Sequence, residues 1–325
     1  MTDGERRERR CALIYNPVKV DGARLRDRVE KASRRAGWGA PLFFETTPDD
    51  LGQDATARAL RDGADAVLVA GGDGTVRAVS EALVDSRTPL TIVPSGTGNL
   101  LARNLELPLT DQAAAVAAAF EGVQRSIDIG MMRLTREDGT TEEHAFVVMA
   151  GIGLDAAMIA NTRSQLKKTV GWVAYVDGAA RSLPGAKPFR IMYQLAGHRL
   201  HSVKVQSMLF ANCGALPAGI ELVPDASMTD GMLDLALIQP TGWFGWLGVW
   251  RKVWWDNSVL RRTRSGRRIV ERRRDSSVHY LQGAAVEAGV DAAQPVELDG
   301  DEFGRAVQLS CRVIPGGLLL SVPKA

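Results

Sequence analysis

Val69-Ala70-Gly71-Gly72-Asp73-Gly74-Thr75-Val76 is the stretch whose reading decides the fold. Residues 66–70 form an unbroken apolar run, the mark of a strand buried on both faces, and they lead directly into Gly-Gly-Asp-Gly-Thr. Three glycines leave a Cβ in this turn only on Asp73 and Thr75, so backbone N–H groups can approach anionic oxygens. A helix expected from about Val76 onward points its positive end at the same place. Thr75 adds a hydroxyl donor. Asp73 would repel a bare phosphate, which implies a bridging Mg2+, an ordered water or a nearby base. The G-x-x-x-x-G-K-[ST] pattern is absent, so no Walker lysine serves the phosphates; the candidate cations are Lys19, after the first strand, and Arg77, just past the glycine turn.

Outward from this turn, short apolar runs alternate with helical patterns: strand 11–15, helix 23–36, strand 41–44, helix 51–61, strand 66–70, helix 76–83 and strand 90–93. Continuous apolar strands separated by amphipathic helices call for a parallel sheet covered on both faces, with ligands beyond the C-terminal strand ends. The strand at 90–93 exits into a second glycine-rich loop, Pro94-Ser95-Gly96-Thr97-Gly98-Asn99, so two such loops can face one ligand. An alanine-rich helix at 111–122 and a strand at 126–129 close the unit. Beyond Met131 the texture becomes β-rich, with runs at 145–149, 190–195, 204–210, 233–238, 278–281, 296–298 and 307–313. These predict an antiparallel β-sandwich, with helical insertions at 155–183 and 243–260. The expected organisation is a basic disordered tail over 1–10, an α/β domain over 11–130 completed by 314–325, and a sandwich domain over 131–313.

Composition narrows the function classes. With 325 residues and 45% hydrophobic content the chain can bury two cores, and its net charge of +2 gives nucleic acid no general attraction. Any basic surface must be local. Cys11, Cys213 and Cys311 lack metal-ligand spacing and read as reduced, buried thiols. The N-terminus has no signal-peptide core, and the most membrane-like stretch, 243–255, is interrupted by Arg251 and Lys252. His144, His198, His201 and His279 form no catalytic constellation, and Asn104 reads as ordering a loop.

Read together, Asn16-Pro17 after the first strand, the Gly71 to Thr75 turn and the Pro94 to Asn99 loop resemble the bacterial diacylglycerol kinases and related lipid kinases, which include sphingosine and ceramide kinases. Two further segments match in order: Leu222-Val223-Pro224-Asp225-Ala226-Ser227-Met228-Thr229-Asp230-Gly231-Met232-Leu233-Asp234, and Leu298-Asp299-Gly300-Asp301. The resemblance implies an NAD kinase/diacylglycerol kinase-like α/β domain followed by a sandwich, using ATP and Mg2+ to phosphorylate a lipid hydroxyl, most simply that of diacylglycerol. It implies that Asn16, Pro17, Lys19, Thr46, Gly71, Gly72, Asp73, Gly74, Thr75, Arg77, Ser95, Gly96, Thr97 and Asn99 surround ATP. Asp73 and Asp128 stand near phosphates and Mg2+. Ser227 and Met232, through their carbonyls, and Asp230, through its carboxylate, hold a structural Mg2+. Asp301 takes the family's glutamate general-base position, with Glu302 as the alternative. Asp225 and Asp234 also read as turn caps. The chain departs from the family where glycine in the first loop is delayed to Gly22 and where Leu100 replaces an aspartate.

Trp246, Trp250 and Trp254 recur along one helical face, and Arg261, Arg262, Arg264, Arg267 and Arg268 follow. This segment suits either a membrane interface or packing on the sandwich. The expected protein is cytoplasmic, associates peripherally with the inner membrane face, binds no nucleic acid, and is compatible with a homodimer. Its rivals are an NAD kinase-like soluble kinase and a non-catalytic module that binds ATP or anionic lipid.

Overall fold

A computed structural model describes residues 7–153, 188–216, 220, 221, 223, 225–239 and 278–324. The expected insertions at 155–183 and 243–260, with the tryptophan and arginine clusters, lie outside these residues. The chain divides into two compact units, Met1–Ile127 with Gly316–Ala325, and Asp128–Pro315.

The first unit runs β1 (Cys11–Tyr15), α1 (Gly22–Arg35), β2 (Leu42–Glu45), α2 (Gln53–Arg61), β3 (Ala66–Gly71), α3 (Asp73–Ala82), β4 (Leu90–Pro94), α4 (Leu100–Asn104) and α5 (Gln112–Glu121). Its parallel sheet has the order β2-β1-β3-β4, and Leu320, near the chain's end, pairs in parallel with Leu90 at the β4 edge. Apolar side chains cover both faces. Leu13 and Leu68 meet Leu25 and Val29 of α1 and Val116 of α5, while Ala12 packs with Ala59 of α2 on the other side. Asp21 and Asp111 cap α1 and α5 by accepting from Arg24 N–H and Ala114 N–H at 3.0 and 2.9 Å. The strand order reverses between β1 and β3, so the crevice that such sheets use for ligands opens beyond those two strands.

The second unit takes over within β5 (Val123–Thr135) and continues through β6 (Thr141–Phe146), β7 (Met149–Gly153), β8 (Phe189–Leu195), β9 (His201–Val205), β10 (Ser207–Ala211), β11 (Ala215–Leu216), β12 (Ile220–Glu221), β13 (Leu233–Ile238), β14 (Val278–Gly283), β15 (Ala285–Leu298) and β16 (Asp301–Val322). Among the described residues its strands pair antiparallel: β14-β13-β10-β7-β15 on one path, β15 with β8 and β8 with β9 on another. β15 makes both paths possible. Residues 286–290 pair with β8, and after register shifts between Gly289 and Glu297 residues 296–298 pair with β7. Phe146, Ile152, Ile191, Met208, Phe210 and Leu235 fill the resulting sandwich-like core. Cys11, Cys213 and Cys311 are free and buried.

Three expectations change in detail. The helix after the first glycine turn begins at Asp73, not Val76, because Gly72 serves as its N-cap and the acid at 73 complements the positive helix end. The run 145–149 is not one strand. It breaks at Val147 and Val148, whose N–H groups bond to the distant Asp299 carboxylate instead of a ladder. The run 204–210 likewise divides at Gln206 into β9 and β10.

Gly130 of β5 sits opposite Phe146 of β6, and a Cβ there would collide with that fully buried ring. Gly130→Ala is therefore predicted to destabilise the protein by about 1–3 kcal/mol, the usual cost of overpacking a core. A lowered urea midpoint would show this, and an unchanged midpoint would show that the ring has room to move.

Candidate functional site

In the first unit the predicted residues gather at the C-terminal edge of the sheet. Asn16 leaves β1 with its N–H on Ala70 O at 2.9 Å, and its side-chain oxygen accepts from Val18 N–H at 2.9 Å. Its carbonyl accepts from Lys19 and Val20 N–H at 3.0 and 3.2 Å, so Pro17 and Lys19 occupy an exposed tight turn. Thr46 is buried beside this turn and donates its N–H to Tyr15 O at 2.9 Å. At the exit of β4, Ser95 Oγ donates to Val93 O at 2.8 Å. Asn99, at φ 48°, accepts Gly96 N–H and donates to Gly96 O through its side chain, both at 2.9 Å, which closes a small loop with Thr97 exposed at its tip.

Asp73 joins the two glycine loops. Its Oδ1 accepts the backbone N–H of Leu100 at 2.6 Å, and a Cβ on Gly98 would strike its Oδ2. A Cβ on Gly96 would lie 3.0 Å from Gly72 Cα, and one on Gly71 2.6 Å from Thr75 Cβ. Packing alone thus accounts for glycine at 71, 96 and 98. Gly72 is different: its backbone is extended, at φ −84° and ψ 180°, and among the described residues nothing lies within 4 Å of where its Cβ would be. Neither strain nor crowding requires glycine there, and the open space lies beside the N-terminus of α3.

The acidic charge at Asp73 is therefore met first by an amide and by the α3 N-terminus. Leu100, which replaces a carboxylate of the family pattern, contributes that amide, a role independent of its side chain. Thr75 is buried beneath Gly71. Arg77 is only 2% exposed and its guanidinium pairs with Glu81 at 3.2 Å along α3, so it braces the helix instead of reaching the loop surface. Lys19 remains the exposed cation among the candidates.

In the second unit Asp128 is 3% exposed and organises the 228–231 turn: its N–H donates to Met228 O and its Oδ2 accepts Gly231 N–H, both at 2.7 Å. Asp299 and Gly300 form a two-residue hairpin turn with φ 50° and 91°, as a type I′ turn requires. The Asp299 carboxylate accepts N–H groups of Val147, Val148 and Met149 at 2.8, 2.8 and 2.9 Å. Asp301 follows at the start of β16, half-buried, whereas Glu302 is exposed. Asn212, which sequence reasoning missed, connects these parts. Its Nδ2 donates to Asp128 O at 2.9 Å and to Val147 O at 3.0 Å. The available signal was a polar Asn at the end of the apolar run Met208–Ala211. Burial, with Asp299 nearby, pushes the Cys213 thiol up.

The expected metal segment has donors that fit a hard cation. Asp230 accepts from Met232 N–H at 3.0 Å and from Gln282 Nε2 at 3.1 Å; Ser227 Oγ lies 3.3 Å from Thr229 Oγ1. Asp234 is not a turn cap. It sits in β13 opposite Gln282, 7% exposed, and its Oδ2 has no hydrogen-bond partner among the described residues. Burial, then Asp230 and Asp225, pushes its carboxyl up to about 6. An orphaned buried carboxyl oxygen beside two acids is the environment a divalent cation relieves. Among the described residues, no group of three or more His, Cys, Asp or Glu side chains could hold a metal ion, so a cation here would also need backbone carbonyls.

Comparison with known proteins gives the family. Residues 10–132 match the family described as the diacylglycerol kinase catalytic domain, and residues 146–322 the YegS C-terminal NAD kinase beta sandwich-like domain. A diacylglycerol kinase of Bacillus subtilis is 27% identical over 301 residues, covering 91% of each chain. A Pseudomonas fluorescens protein named "Probable lipid kinase YegS-like" is 31% identical over 234 residues, covering 71% of this chain and 73% of that one. A solved Bacillus anthracis structure superposes with a TM-score of 0.73 at 18% identity, covering 99% of this chain and 98% of that chain.

Replacing Asp299 by Ala would strand three backbone donors, each worth about 1–3 kcal/mol when buried without a partner. A loss of at least about 3 kcal/mol in urea unfolding is expected. An unaltered midpoint would mean that the 147–149 segment does not depend on this carboxylate.

Proposed function

Because the chain belongs to the family of diacylglycerol kinases and related lipid kinases, and is itself a lipid kinase, we propose that it transfers the γ-phosphoryl group of ATP to the free hydroxyl of diacylglycerol. Gly72 carries this reading. It is a helix N-cap in an unstrained conformation with open space where a side chain would be, and the ligand such a position suits is a phosphate held by helix N-terminal amides.

In this mechanism the loops at Asn16–Lys19, Gly71–Thr75 and Ser95–Asn99, with Thr46, bind and orient the ATP phosphates. Lys19 supplies positive charge from its exposed turn. Arg77 supports α3 from within. Asp73 keeps both glycine loops in register through Leu100 N–H. In the second unit Asp301 accepts the proton of the attacking hydroxyl, and the Asp299-Gly300 turn holds it in place. Asp230, with the carbonyls of Ser227 and Met232 and the free oxygen of Asp234, would hold a structural Mg2+. Bound Mg2+ would also offset charge on the transferring phosphoryl group. Among the described residues no helix is long and apolar enough to cross a membrane, and peripheral association with the inner membrane face completes the proposal.

A second reading, phosphorylation of a soluble dinucleotide, follows from the NAD kinase-like description of the sandwich family that matches residues 146–322. Transfer of labelled phosphate from ATP to lipids in mixed micelles, with NAD as a competing acceptor, separates the two. Diacylglycerol should be labelled and NAD should not; label on NAD alone would replace the proposal by the second reading. Asp301→Asn should slow turnover about 10²–10⁴-fold, the usual contribution of a general base, and full activity in this variant would remove Asp301 from that role. Mg2+ should raise the thermal unfolding temperature relative to chelator, and Asp230→Asn should abolish the increase. An equal response in both proteins would place the ion elsewhere.

A further inference from the structure

The first unit carries a basic, apolar-floored groove that the nucleotide site does not use. Arg24, Arg28, Lys31 and Arg35 project along one face of α1, and with Ala113 and Ala117 of α5 they line an open cavity of about 330 Å³. Arg24 to Arg35 covers eleven helical steps, about 16 Å of axis at 1.5 Å per residue. That is too long for one phosphate and suits a row of them. The inner face of α1 is already occupied by Leu25, Val29 and Ser33, so the stripe does not serve the core.

α5 supplies the unusual half. A surface helix normally turns polar residues outward, but α5 reads Gln-Ala-Ala-Ala-Val-Ala-Ala-Ala-Phe-Glu and exposes Ala113 and Ala117. Where α1 and α5 end, Trp38 meets Phe120 edge-on at 5.2 Å, and the Arg9 guanidinium lies 4.4 Å over the Trp38 ring. Trp38 and Phe120 pack against the core and fix this end of the face; cations in a row beside an uncharged helix face are the chemistry of an anionic lipid surface. The whole chain is close to neutral, at +2, so this concentration of charge is local.

We propose that the α1–α5 face docks the protein on an anionic phospholipid bilayer. The purpose of that docking, access to a bilayer-borne acceptor, rests on the lipid kinase reading; the binding itself does not. A second copy of this chain fits the face less well, because a two-fold contact would set like-charged α1 stripes against each other. The stripe's acids do not cancel it: Asp27 pairs with Lys31 at 2.7 Å and leaves the three arginines.

The test is co-sedimentation of the full chain, without ATP, with phosphatidylcholine vesicles that either contain or lack phosphatidylglycerol. Wild type should bind only the anionic vesicles. Combined Arg24→Ala, Lys31→Ala and Arg35→Ala should weaken binding about 100-fold, given the contribution of each cation near an anionic surface, while turnover on detergent-dispersed lipid is retained. Ala117→Glu provides a second variant that leaves the cations in place and should also weaken binding. Equal vesicle binding by wild type and both variants would overturn the proposal, as would wild-type binding that ignores phosphatidylglycerol. If Ala117→Glu instead splits a dimer and leaves vesicle binding intact, the face belongs to a second copy. Failure of the kinase reading would appear as absent turnover on dispersed lipid, with the sedimentation result unaffected.

Discussion

The hydrogen bond from Leu100 N–H to the Asp73 carboxylate is the constraint on which the first unit's site depends. It joins a loop that leaves β3 to one that leaves β4, and it can form only because Gly98 has no Cβ to strike the second carboxylate oxygen. Gly96 makes the same allowance for Gly72, and the Asn99 side chain closes its loop around Gly96. An acid inside the glycine turn thus has a structural explanation independent of metal. Its charge lies in the first turn of α3, where the helix dipole favours it, and it is shared with an amide.

The second unit shows the same logic with longer reach. Asp128 holds the 228–231 turn, Asp299 holds residues 147–149, and one Asn212 amide bonds to backbone carbonyls at both places. Residues far apart in the chain therefore form one connected polar network in an otherwise apolar sandwich. Such networks are costly when incomplete and rigid when satisfied. Among the described residues, Asp234 Oδ2 and Asn212 Oδ1 are both buried without a hydrogen-bond partner.

Much of this was legible in the sequence. Continuous apolar runs at 11–15, 66–70 and 90–93 gave the parallel strands because burial on both faces leaves no room for polar residues, and the glycine loops follow the C-terminal ends of β3 and β4. Less visible were features fixed by distant partners. The run 145–149 looks like one strand because its apolar pattern is continuous; only Asp299, about 150 residues later, takes its amides and breaks it. Arg77 looked like a phosphate ligand by proximity, yet helix geometry turns it inward to Glu81. Asn212 carries no motif, since its role lies in backbone carbonyls that sequence spacing does not reveal.

Glycine identity distinguishes a tight turn from a ligand cradle, and the distinction falls on one residue. Gly71, Gly96 and Gly98 are crowded by their neighbours, whereas among the described residues nothing crowds Gly72. The most direct measurement is a calorimetric titration of Gly72→Ala with ATP, alongside its unfolding midpoint. The account predicts a midpoint equal to or above wild type, since alanine fits this backbone and restricts the unfolded chain, together with loss of ATP binding. Wild-type affinity for ATP in that variant would contradict it and return the glycine turn to a purely structural role.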